Sequence, residues 1–163
     1  MITIIVCIAR NRAIGLRGGL LYHLRADLRR FKELTTGHTV VMGRKTYESL
    51  PKGALPNRRN IVLTHSGRVY PGTEVFASLP EALQHCAEGE QVFIIGGSSV
   101  YQEALPLADR LCLTLVDDTP AEADTFFPEI RQEDWQEIFR EQHAADEHNE
   151  RPFCFVDLIR KGV

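Results

Sequence analysis

The sequence predicts an α/β fold, a single domain over residues 1–163 with a mainly parallel eight-stranded sheet, four helices on its two faces and an antiparallel C-terminal strand. Three observations carry this. Short β-branched runs alternate with amphipathic segments through most of the chain, the pattern of strand–helix crossovers. Two of those runs end in glycine and pass straight into a helix start, at Val40-Val41-Met42-Gly43-Arg44 and at Ile94-Ile95-Gly96-Gly97-Ser98. The last two strand-like runs, residues 135–143 and 151–160, follow one another without a helix between them, which calls for antiparallel pairing.

Residues 2–9 form a continuous apolar, β-branched run, as expected of a strand buried on both faces. Residues 11–21 carry Gly15, Gly18 and Gly19 and read as a loop. Leu24, Asp27, Leu28, Phe31 and Leu34 repeat at helical spacing, so the helix runs over 25–35. A strand over 39–42 leads into a short helix over 44–50, and Pro51, Gly53 and Pro56 break the chain after it. Strands follow over 60–64 and 74–76. Ser78 caps a helix to about residue 88, with Glu81 completing a capping box. A strand over 92–95, a helix over 98–105 stopped by Pro106, and a strand over 110–116 complete the alternating part.

The formal net charge of −3 argues against a general nucleic-acid binder. Cys7, Cys86, Cys112 and Cys154 are far apart with no C-x-x-C pair, which fits a reducing cytoplasm better than a disulfide framework. The apolar N-terminal run is cut short by Arg10 and reads as neither signal peptide nor membrane span.

Two strand–glycine–helix junctions suggest a ligand with two phosphates, because a helix start offers amide groups and partial positive charge. Arg44 and Lys45 could hold a third phosphate, so a dinucleotide is the first expectation. Neither junction is G-x-G-x-x-G and no P-loop is present, and either glycine alone reads equally as a strand end. Asp27 is the second unusual feature. Its spacing from Leu24 and Phe31 puts it on the apolar face, while Arg25, Arg29, Arg30 and Lys32 decorate the other sides. An inward carboxylate either caps the first turn or waits as a buried acid for the paired N–H groups of a planar heterocycle. His143 and His148 could hint at a metal, but a polar connection between strands accounts for them better, and no metal is expected.

Taken in order, Ala26-Asp27-Leu28 with Phe31, Val41-Met42-Gly43-Arg44 with Thr46, and Ile94-Ile95-Gly96-Gly97 with Tyr101 resemble dihydrofolate reductase. The resemblance extends from Ile2 to about Ile159. It implies NADPH-dependent reduction of 7,8-dihydrofolate to tetrahydrofolate, hydride passing to C6 of the pterin and a water delivering a proton to N5. It further implies a cytoplasmic monomer open to antifolate inhibitors. Asp27 would bind the pterin N3 and 2-amino group, with Thr114 as its hydroxyl partner. Ile5, Val6, Leu28, Phe31, Leu50 and Ile95 would wall the substrate rings, and Arg58 would pair with the substrate's tail carboxylate. Gly43, Arg44, Lys45, Thr46, Thr64 and His65 would serve the cofactor phosphates. Cys7, Ile14, Leu20, Ile95, Gly96, Gly97, Ser98, Ser99, Val100 and Tyr101 would complete the cofactor contacts, with a cis peptide at Gly96-Gly97.

The chain departs from the family pattern in informative places. Leu20-Leu21-Tyr22 replaces the usual Leu/Met-Pro-Trp, so the hydroxyl of Tyr22 is expected to order the proton-relaying water. Arg25 stands where proline commonly opens the helix, and Ala77 and Ser99 lack the cations that can assist the adenosine phosphate. Asp124 aligns with a position that steadies the loop before Tyr22. Two other readings remain at this point: a related reductase acting on a pyrimidine intermediate of riboflavin synthesis, and a nucleotide-binding module without catalysis.

Overall fold

A computed structural model describes residues 1–162; Val163, the last residue of the expected domain, lies outside the described residues. In chain order the elements are β1 (Ile2–Ala9), β2 (Ala13–Leu16), β3 (Gly19–Leu20), α1 (Arg25–Thr35), β4 (Thr39–Gly43), α2 (Arg44–Ser49), β5 (Arg59–Leu63) and β6 (Thr73–Phe76). They continue as α3 (Leu79–Gln84), β7 (Val92–Gly96), α4 (Ser98–Ala104), β8 (Arg110–Val116), β9 (Thr125–Phe126), β10 (Trp135–His143) and β11 (Phe153–Arg160).

The main sheet has the order β10-β11-β8-β1-β7-β4-β5-β6, with β11 antiparallel to both of its neighbours. Strand β1 lies at its centre, parallel to β7 and β8. That position explains the unbroken apolar run, because both pleat faces are covered. Ile4, Val6 and Ile8 pack in one cluster with Leu79, Ala82, Val100 and Tyr101 of α3 and α4. Ile5 and Cys7, one residue out of phase, join clusters on the other face with residues of α1 and α2. The carboxyl ends of β1, β4, β7 and β8 therefore open along one edge of the sheet, where ligands of such sheets bind.

Three expectations are corrected. The segment read as a loop before Tyr22 contains β2 and β3, which pair with β9 into a separate three-stranded sheet. Helix α3 stops at Gln84 instead of near residue 88. Its last carbonyls are taken by side chains: Cys86 Sγ donates to Ala82 O, and Arg59 Nη2 donates to His85 O at 3.1 Å. Strand β11 begins at Phe153, just after Pro152, which has no N–H to give the ladder.

Candidate active site

Helix α1 carries the inward acid, and its start is built from a distant segment. No side chain of its own caps it. Instead Ala26 N donates to Asn149 Oδ1 at 3.0 Å, Arg25 N to the carbonyl of His148 at 3.3 Å, and His23 N to Glu150 Oε1 at 3.3 Å. Asn149 is buried and held in turn by Asp146. It acts as an N-cap supplied in trans. Asn149→Ala should lower the unfolding free energy by about 1–2 kcal/mol, measured by chemical denaturation; a loss below a few tenths would show that the cap is idle.

The Asp27 carboxylate reaches the sheet, where Thr114 Oγ1 donates to its Oδ1 at 2.5 Å. Thr114 sits on β8 opposite Cys7 of β1, so α1, β8 and β1 converge on this one group. Burial pushes the Asp27 pKa above the ordinary carboxylate value, and the Thr114 hydrogen bond and the Arg30 charge pull it part of the way back. The neighbouring Cys7 thiol is pushed well up by burial and by the Asp27 charge, so it stays protonated. Tyr101 is buried, its hydroxyl donating to Ile5 O at 2.9 Å.

Of the expected ring walls, Ile5, Leu50 and Ile95 are half-buried and share a cluster on the face of β1 that bears Cys7. Phe31 is half-buried on α1. Val6 is different: it points to the opposite face and packs under α3 and α4, as strand alternation requires. Leu28 lies on the rim, 54% exposed.

Arg58 is half-buried and preset, its Nε donating to Pro56 O at 2.9 Å and its Nη1 to Thr35 Oγ1 at 3.1 Å. Its neighbour Arg59 is committed elsewhere, clasped by Glu74 and Glu90. Only Arg58 of the pair is left to meet an incoming carboxylate.

The two glycine junctions open into a single groove of about 760 Å³. Gly43, Arg44, Lys45, Thr46, Thr64, His65, Gly97, Ser98, Ser99 and Val100 line it, joined by Ser66 and Glu103, which the sequence pattern does not single out. Neither α2 nor α4 has a side-chain cap, so their first turns meet the groove with backbone amides. Gly96 is cis to Gly97 and has a φ of 140°, where only glycine is at ease; a Cβ there would also lie 3.1 Å from Thr46 Oγ1. Arg44 is not free, since Glu48 holds its Nη1 at 2.9 Å. Cys7, Ile14, Leu20, Ile95, Gly96 and Tyr101 lie outside this groove lining; Leu20 is 67% exposed on β3.

Tyr22, expected to order a water through its hydroxyl, has that hydroxyl's proton committed to a carboxylate. Its hydroxyl donates to Asp118 Oδ2 at 2.7 Å, and burial together with that bond pushes the phenol pKa up. Nothing in the sequence flags Asp118. Asp124 accepts from Arg17 N at 2.9 Å and gives its own N–H to Gly15 O at 3.1 Å, clamping the loop that contains β2 and β3. Arg30, expected outward with the other cations of α1, is folded back against the sheet with its side chain 17% exposed. His143 stacks on Phe153 and pairs with Glu141, while His148 sits beside Arg25 and Glu147. Among the described residues no cluster of His, Cys, Asp and Glu could hold a metal ion, and no helix is long and apolar enough to cross a membrane.

The family profile described as Dihydrofolate reductase matches residues 1–160. The chain is 43% identical over 162 residues to the type 3 dihydrofolate reductase of Salmonella typhimurium, covering 99% of each chain. It is 40% identical over 163 residues to the dihydrofolate reductase of Bacillus subtilis, covering 99% of this chain and 96% of the relative. A solved dihydrofolate reductase from Enterococcus faecalis, in complex with NADP(H) and RAB-propyl, superposes with a TM-score of 0.90 at 36% identity, covering 99% of this chain and 96% of that one.

Proposed function

The chain belongs to the dihydrofolate reductase family, oxidoreductases that use NADPH to reduce dihydrofolate, and from that premise we propose how its own residues divide the work. The hydrogen bond from Thr114 to Asp27 is the observation that carries the reading. It fixes one carboxylate oxygen and leaves the other to accept from N3 and the 2-amino group of the pterin. Two hydrogens enter the substrate, a hydride at C6 and a proton at N5. NADPH, when bound, supplies the hydride. Asp27 does not touch N5; its negative charge favours the protonated ring, and a water brings the proton.

Fit to the cofactor is supported by the groove. Two unclosed helix starts suit the pyrophosphate. Lys45, Arg44, Thr64, His65 and Ser66 offer a cationic, hydroxyl-rich edge for the 2′-phosphate. The Arg44–Glu48 pair is exposed on both sides, so exchanging that carboxylate for a phosphate costs little. Tyr22 would still hold the relaying water, but as an acceptor, because its own proton is committed to Asp118. Replacing Tyr22 by phenylalanine should slow hydride transfer at neutral pH; an unchanged rate would remove Tyr22 from the relay.

The same reading takes the protein as a cytoplasmic monomer, its four free cysteines in keeping with a reducing compartment, with antifolates competing for the Asp27 site. The direct test is stopped-flow oxidation of NADPH in the presence of dihydrofolate. Loss of nicotinamide absorbance that requires dihydrofolate supports it. Binding without oxidation would leave only a nucleotide-binding module.

A further inference from the structure

Arg30 lies three residues beyond Asp27, so the two are neighbours on the surface of α1. Its guanidinium is unusually fixed. Nη2 donates to both oxygens of Asp157, at 3.0 and 2.9 Å. Asp157, 3% exposed on β11, also takes a hydrogen bond from Arg110 Nη2 at 2.8 Å. The Arg30 Cζ sits 4.7 Å from the ring centroid of Phe155 and 5.4 Å from that of Phe139. Phe155 in turn faces Thr114 across the β8–β11 ladder, so the strand pair that holds Arg30 also holds the hydroxyl partner of Asp27.

One carboxylate between two guanidiniums leaves the cluster with a surplus positive charge, sheltered from water. As a stabilising device it is weak, because desolvating three charges offsets their attraction. Its position points to another use. Asp27 is bonded by Thr114 from β8 and is close enough to feel or influence Cys7 of β1, Tyr101 of α4 and Arg30 of its own helix electrostatically. The thiol and the phenol are both held neutral by burial, so Arg30 is the one full charge in this set.

We propose that Arg30, locked by Asp157, is a positioning residue whose fixed charge sets the pH range over which Asp27 works. The proposal rests on the role given to Asp27 above. Removing the charge leaves the negative field of Asp27 less compensated, so the pterin N5 holds its proton to higher pH and hydride transfer persists further into the alkaline range. A neutral substitution therefore accelerates the reaction under alkaline conditions, which damage to the fold cannot do. Arg110 remains to pair with Asp157 when Arg30 is changed.

The experiment is single-turnover hydride transfer as a function of pH for wild type, Arg30→Leu, Arg30→Met and Arg30→Lys. The expected result is a midpoint displaced to higher pH in the Leu and Met variants, with the rate on the alkaline limb raised about threefold or more. Arg30→Lys, which keeps the charge, should follow wild type. An unmoved midpoint in both neutral variants, or a lysine variant displaced with them, overturns the proposal. Failure of wild type to transfer hydride to dihydrofolate at any pH would instead overturn the reading of the site itself.

Discussion

Replacing Asp27 by asparagine should slow hydride transfer at neutral pH by about a hundredfold or more, the scale of a lost acid–base contribution. Asparagine matches aspartate in size and can still accept from Thr114 through its oxygen. What remains facing the pterin is then an NH₂ group opposite N–H donors, a donor against donors, and the negative charge that favours a protonated N5 is gone. Stopped-flow kinetics measures this, and a rate within a few fold of wild type would remove Asp27 from the chemistry.

The same substitution should raise the melting temperature of the free enzyme. Burial lifts the folded-state pKa of Asp27 above its value in an unfolded chain, so the folded state holds this proton more tightly. Its contribution to stability is complete at acidic pH below the unfolded value. It is lost as pH rises through the folded value, and above that the half-buried charge is a standing cost. The Asp27→Asn variant would escape the cost, so the two proteins should differ most near neutrality and converge in acid. A thermal unfolding series against pH reads this directly. Retaining a costly acid at this position is what a site selected for chemistry looks like.

The second large effect is expected at Arg58. Arg58→Leu should weaken dihydrofolate binding by about a hundredfold, the consequence of taking one member from a desolvated charge pair. NADPH affinity should stay unchanged, since Arg58 is outside the groove that joins the glycine junctions. The guanidinium is already oriented by Pro56 O and Thr35 Oγ1, so little order remains to be imposed on binding. Burial draws its pKa down from the usual arginine value, as expected of a cation waiting for its acid. The loss should fall on KM with kcat nearly intact, because the tail contact is the same in ground and transition states. A fall in kcat with KM unchanged would contradict this.

Much of this architecture is visible in the chain itself, for physical reasons. Strands buried on both faces must be almost wholly apolar, so β1, β4, β7 and β8 announce themselves, and glycine marks where the two turns at the groove begin. Asp27 stands out because a charge in a helix's apolar stripe breaks a period. The small sheet of β2, β3 and β9 is hidden because its strands are short and glycine-bearing, with pairing decided by a segment more than a hundred residues away. Arg30 misleads because charge alone reads as exposure; only the fold brings Asp157 and Phe155 beneath it. Tyr22 and Asn149 carry the same lesson. Their partners, Asp118 and the start of α1, are remote in sequence, and no local spacing signals a cap or a hydrogen bond made in trans.

The most direct test of the account is a carboxyl-carbon NMR titration of Asp27 in the free enzyme, assigned by comparison with Asp27→Asn. A midpoint above that of a solvent-exposed aspartate, moving further upward when Thr114 is replaced by valine, is the predicted result. A midpoint at or below the exposed value, indifferent to Thr114, would contradict the picture of a half-buried acid held ready for the pterin.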